Sequence, residues 1–156
     1  MATPLKAGDP APDFRGVTTD GKKVALKDYR GKKLVMYFYP MDDTPGCTKQ
    51  ACSLRDHNAE IAAKGAAVLG VSTQGEESHR KFTKKYSLNF PLLADTDGEV
   101  GRAYGTLGGS GLFSKLKSAA GMADRVTFVI DEKGRIAHVI DKPDVANHAE
   151  EVLALL

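Results

Sequence analysis

Cysteine is scarce in this chain: Cys47 and Cys52 are the only two in 156 residues. They form no Cys-x-x-Cys dithiol, and no Cys/His spacing resembles a zinc site, so neither a bound metal nor a cofactor is expected. A disulfide between residues so close would close too small a loop to add much stability, so the pair points to redox reactivity rather than a structural staple. An excess of charge of either sign is missing as well: 22 Lys and Arg stand against 20 Asp and Glu. That balance leaves no electrostatic footprint for nucleic acid or a membrane surface, and neither partner is expected. No run reaches the length of a membrane span, and residues 1–8 lack the apolar centre of a signal peptide, so a reducing, cytoplasmic setting is the expectation. The length suits a single domain over 1–156 with one sizeable core.

What is present concentrates around the first cysteine. Leu34-Val35-Met36-Tyr37-Phe38-Tyr39 is a short, unbroken apolar run that reads as a strand covered on both faces. Thr44 is a candidate N-cap and Pro45 suits the first helical position, so Cys47 falls in the first turn of a helix. There the positive end of the helix favours a thiolate, and the thiolate is the nucleophile.

The helix should run from 45 to about 64, where Gly65 ends it. Cys47, Ala51, Leu54, Asn58 and Ile61 share one stripe, and Cys52 lies off it. On an ideal helix Cys47 and Cys52 are roughly 8 to 9 Å apart at Cα and rotated by about 140°. A disulfide tolerates at most about 7 Å, so bonding between them requires this helix to unwind locally.

Elsewhere, residues 13–18 and 22–26 flank Asp20-Gly21 as a hairpin, and 65–73 is a second buried strand. A helix over 76–86 places His79, Phe82 and Tyr86 on one stripe, with His79 read as a partly covered stripe residue. A short strand follows over 90–95, with Pro91 marking its start or an edge position, then a short helix over 99–104. Residues 105–124 break the rhythm; a helix near 114–119 is expected there, and Gly108-Gly109-Ser110-Gly111 reads as a connection because it lacks the context of a phosphate loop. Residues 125–130 and 135–140 form a second hairpin, and a helix from about Asp144 carries Val145, Ala149, Val152 and Leu156 on one face. Strands alternating with helices, then a hairpin and a helix, describe an α/β chain of thioredoxin-like order with an N-terminal hairpin extension and a central mixed sheet flanked by helices.

The segment Pro40-x-x-x-Thr44-x-x-Cys47 after an apolar strand resembles the peroxidatic motif of peroxiredoxins, and Thr-Pro-Gly-Cys-Thr-x-Gln-Ala-Cys-x-Leu-Arg-Asp at 44–56 resembles the bacterioferritin-comigratory, or peroxiredoxin Q, branch. Gly8-Asp9-Pro10-Ala11-Pro12-Asp13-Phe14 is similar to the opening of the same family. The resemblance implies a thiol-dependent peroxidase for hydrogen peroxide and organic hydroperoxides. Cys47 would become a sulfenic acid, Cys52 would resolve it as an intramolecular disulfide, and thioredoxin or a glutaredoxin-like dithiol would restore both thiols. It further implies that the Thr44 hydroxyl, the N–H groups around Gly46 and Cys47, and an arginine opening a later strand surround the peroxide, while Pro40 shields the sulfur. Arg125, in Arg-x-Thr-Phe, matches that arginine; without the resemblance Arg55, Arg102 and Arg135 would be equal candidates. The branch is commonly monomeric, and a monomer is expected here. Leu112, Phe113 and Leu116 are candidates to line a pocket for bulkier peroxides.

Two other functions fit the scaffold: a thiol–disulfide exchange protein or redox sensor, and a non-catalytic binding module. Missing Cys-x-x-Cys spacing argues against the first. The combination of Thr44, Cys47 and Arg125 argues against the second.

Overall fold

The computed structural model describes residues 3–108 and 121–156. The N-terminal hairpin joins β1 (Arg15–Thr18) to β2 (Lys23–Ala25), turning at Asp20-Gly21, where Gly21 has φ +77°. A 3₁₀ turn over Leu26–Tyr29 leads to β3 (Lys33–Phe38), then α1 (Pro45–Asp56) and α2 (Asn58–Ala63). Next come β4 (Ala66–Ser72), α3 (Glu76–Tyr86), β5 (Leu92–Ala94) and α4 (Glu99–Ala103). The hairpin of β6 (Val126–Ile130) and β7 (Ile136–Ile140) precedes α5 (His148–Leu153). All seven strands form one mixed sheet in the order β2-β1-β5-β4-β3-β6-β7. β3 and β5 each pair in parallel with β4, while β3–β6, β6–β7, β1–β5 and β1–β2 are antiparallel. Pro91 stands immediately before β5, an interior strand, so it marks a start and not an edge.

The unbroken apolar run of β3 follows from its central position, because a strand covered on both faces needs apolar residues on both. Leu34, Met36 and Phe38 pack on one side with Leu69, Val71, Leu93, Tyr104 and Phe128. On the other side Val35, Tyr37 and Tyr39 meet Cys47, Ala51, Leu54 and Ile61 of the α1–α2 layer. Fully burying Leu54 there contributes about 2 kcal/mol. Gly70 of β4 makes room for this layer: a Cβ at that position would lie 3.0 Å from the Tyr37 ring and 2.6 Å from Leu92 Cδ2.

Two helix boundaries differ from expectation. The helix after β3 does not run unbroken to 64; it is interrupted at His57, whose backbone has φ −117° and ψ 11°. His57 N–H bonds back to Leu54 O, and the ring Nδ1 lies 3.0 Å from Ser53 O, the carbonyl an unbroken helix would offer to that N–H. The side chain has displaced the backbone at its own acceptor. Gly65, at φ +78°, ends the second piece as expected. The last helix starts at His148 and not near Asp144, because the Asp144 carboxylate accepts from Ala146 N–H and Asn147 Nδ2 and holds 144–147 as a turn. The helix expected near 114–119, the lining role of Leu112, Phe113 and Leu116, and most of the 108–111 connection lie outside the described residues.

A buried histidine fastens α5 to the sheet. His148 Nε2 lies 2.9 Å from Thr127 Oγ1, and Nδ1 lies 3.0 Å from Glu151 Oε1. Nδ1–H donates to the carboxylate, so the neutral ring accepts from the threonine hydroxyl at Nε2. Burial pushes the imidazole below its ordinary 6.5, against the opposing pull of Glu151. The unfolded chain therefore binds more protons as pH falls through 6.5, and stability present above that value is lost below it. In denaturant titrations from about pH 7.5 to 5, the stability margin of wild type over His148→Gln should narrow towards acid. A margin independent of pH would refute this role for His148.

Candidate active site

The loop from Tyr39 to Thr44 delivers the chain from the centre of the sheet to the start of α1. Asp43 takes φ +60°, a conformation available to Asp at modest cost, and its carboxylate is held by Lys85 Nζ at 2.8 Å and Tyr86 Oη at 2.7 Å. Thr44 is the N-cap residue in extended conformation, and its carbonyl accepts from Thr48 N–H at 2.8 Å. Its hydroxyl does not cap the helix: it donates to Met41 O at 3.1 Å, within the same reversal of the chain. Pro45 opens α1, and Gly46 and Cys47 follow in the first turn, where helical N–H groups lack intrahelical acceptors.

Cys47 is 1% exposed, and its Sγ lies 3.4 Å from Arg125 Nη2. The other terminal nitrogen, Arg125 Nη1, donates to Gln50 Oε1 at 2.7 Å, so one guanidinium bridges sulfur and amide. Gln50 comes one turn after Cys47 on the same buried face of α1, and Arg125 immediately precedes β6. Gly46 leaves the guanidinium room, since a Cβ there would lie 3.2 Å from Arg125 Nη2 and press it back by a few tenths of an ångström. Tyr37 is fully buried in the same layer; burial first, and a charge on Cys47 second, push its hydroxyl far above the usual tyrosine range. It stays a neutral phenol.

Of the residues singled out from sequence, Gly46 and Cys47 thus come together with Arg125, while Thr44 stands at the start of the same helix with its hydroxyl turned to Met41 O. Pro40 is half-buried at the end of β3. Cys52 is half-buried, outside the apolar layer that holds Cys47, and both thiols are free. Three residues escaped the sequence reading. Gln50 stood in the motif without a role, although its place three residues after Cys47 was a usable signal. Asp42 was unremarked. His79 is fully buried and not a partly covered stripe residue: Nδ1 lies 2.7 Å from Asp42 Oδ2, and Nε2 lies 3.1 Å from Leu93 O. That pairing joins residues far apart in sequence, which periodicity does not reveal. Among the described residues, no group of three His, Cys, Asp or Glu side chains is placed to hold a metal ion, and no helix is long and apolar enough to cross a membrane.

The model of the AhpC/TSA family matches residues 7–139. Peroxiredoxin Bcp of Escherichia coli strain K12 is 43% identical over 150 residues, a match covering 96% of this chain and 94% of that protein. Among solved structures, PrxQ of Xylella fastidiosa has a TM-score of 0.86 at 28% identity, covering 96% of this chain and 94% of that one. Peroxidoxin BcpB of Mycobacterium tuberculosis has a TM-score of 0.83 at 33% identity, covering 97% and 96%. The bacterioferritin comigratory protein of Xanthomonas campestris, whose structure was reported for its alkyl peroxide reduction activity, has a TM-score of 0.80 at 31% identity, covering 90% and 88%.

Proposed function

We propose that this chain, which belongs to the AhpC/TSA family and to its Bcp/PrxQ peroxiredoxins, reduces hydrogen peroxide and alkyl hydroperoxides at Cys47. The observation that supports this most directly is the 3.4 Å approach of Arg125 to the Cys47 sulfur in the first turn of α1. Helix N–H groups and guanidinium stabilise negative charge on the sulfur and leave fixed donors for the peroxide oxygens. The sulfur attacks the terminal peroxide oxygen, the O–O bond breaks, and Cys47 becomes a sulfenic acid while RO⁻ takes a proton and departs as water or an alcohol. Charge moves from sulfur to the departing oxygen. Donors that face both positions lower the barrier most when charge is shared between them. Arg125 and the N–H groups of Gly46 and Cys47 are assigned that role, and the Thr44 hydroxyl, whose proton goes to Met41 O, is assigned to accept from the peroxide. Gln50 orients the guanidinium, and Pro40 limits access of water to the sulfur.

The sulfenic acid then condenses with the Cys52 thiol, forming a disulfide and releasing water. Both cysteines lie within α1, five residues apart, so its first turns unwind before the sulfurs meet. A thioredoxin-type dithiol returns both thiols and is itself oxidised. Reduced protein given one equivalent of hydrogen peroxide should lose two hydrogens in intact mass and both titratable thiols. Cys52→Ser should instead gain one oxygen and keep the first oxidation at near wild-type rate, while losing turnover with thioredoxin and its reductase. Unimpaired turnover of that variant would move resolution outside the chain, and an unchanged mass in wild type would remove the peroxidase.

A further inference from the structure

Asp42 binds partners from three parts of the fold. Oδ1 accepts from Tyr39 Oη at 2.6 Å, and Oδ2 accepts from Ser78 Oγ at 2.8 Å and His79 Nδ1 at 2.7 Å. Its own N–H donates to Gln74 Oε1 at 2.8 Å. The Asp42 and His79 side chains are 4% and 0% exposed. His79 Nε2 in turn lies 3.1 Å from the Leu93 carbonyl, so both ring nitrogens have partners within the fold. Removing a partner from such a buried cluster leaves a polar group unsatisfied, a larger penalty than losing an exposed hydrogen bond.

What this node restrains is the loop that ends at Cys47. Ser78 and His79 hold Asp42, and two turns further along α3 Lys85 and Tyr86 hold Asp43. Two consecutive residues are therefore fastened to a helix that has no part in the chemistry. The fastening favours one of two incompatible geometries. Peroxide attack needs Cys47 beside Arg125 in the first turn of α1, whereas bonding to Cys52 needs that turn unwound. Bonds present only while the loop is seated speed the first step by holding its geometry and slow the second by resisting departure.

We propose that Asp42 and His79 are positioning residues that hold the Cys47 loop on α3 and thereby set the balance between peroxide attack and disulfide formation. This rests on the peroxidase assignment above. The test mixes reduced protein rapidly with hydrogen peroxide and follows peroxide loss and disulfide formation as separate rates. Ser78→Ala, which removes one donor to the carboxylate, should raise the ratio of disulfide formation to attack about tenfold, and His79→Gln about a hundredfold. Ser78→Thr keeps a donor at the same carboxylate and should restore the wild-type ratio. Ile136→Val, in the opposite core layer, should lower global stability without moving the ratio. If His79→Gln does not fold, the two Ser78 variants decide. A Ser78→Ala ratio equal to wild type, or one matched by Ile136→Val, overturns the proposal and leaves peroxide reduction intact. A wild type that consumes no peroxide overturns both.

Discussion

Cys47→Ser protein should consume hydrogen peroxide no faster than buffer alone, a loss of about 10⁶-fold on the scale by which enzymes commonly accelerate reactions. A serine hydroxyl occupies nearly the same volume, so the 1% exposed site stays filled and α1 keeps its packing against Val35, Tyr37 and Tyr39. What is lost is the nucleophile: an alcohol beside Arg125 does not ionise near neutral pH, and among the described residues no base is bonded to that position to activate it. Peroxide consumption measured together with far-UV circular dichroism separates loss of chemistry from loss of fold. Residual consumption in a folded Cys47→Ser protein would shift the reactive sulfur to Cys52.

The second large effect is expected from Arg125→Lys. Charge is kept, but the flat fork that reaches Cys47 Sγ with one nitrogen and Gln50 Oε1 with the other is replaced by a single ammonium on a flexible stem. The rate constant for reaction with peroxide should fall by about 10²- to 10³-fold, the usual consequence of removing one fixed donor from a site of developing negative charge. Stability should fall as well, by about 1 to 3 kcal/mol if the fully buried Gln50 loses its partner, which lowers Tm by roughly 2 to 4 °C per kcal/mol in a chain of this size. A Lys variant with wild-type attack and a lowered Tm would leave Arg125 a purely structural role.

The parts of this molecule that could be read from sequence are those governed by local periodicity. The run from Leu34 to Tyr39 had to be an interior strand because a residue pair facing opposite layers must be apolar at both positions, and β3 is buried in that way. The stripe through His79 and Phe82 gave α3 its bounds, and Gly65 marked the end of α2. Failures came where a side chain makes a hydrogen bond with backbone groups that a continuous helix would otherwise use. His57 takes Ser53 O and divides a helix whose apolar stripe continues on either side; Asp144 holds a turn where the stripe already suggests helix. The position of Thr44 was legible but its bond was not, since Met41 O comes within reach only through the left-handed turn at Asp43. At the site, Cys47 declared itself by its neighbours in sequence, whereas the choice of Arg125 needed family resemblance, because only the fold brings it to α1.

The interruption at His57 also limits how far disorder can spread. α1 ends there after 12 residues, and α2 begins with Ile61 N–H bonded to His57 O, so the second segment has a start of its own. Fraying that begins at Cys47 meets a boundary at the break, beyond which Ile61 stays packed under Tyr37 and Val68. The two segments are expected to act as separate cooperative units, the first able to open while the second stays tied to the sheet. In the proposed cycle, each turnover would therefore disturb a short, self-contained piece of the protein and leave the hydrophobic layer behind it as the template for refolding.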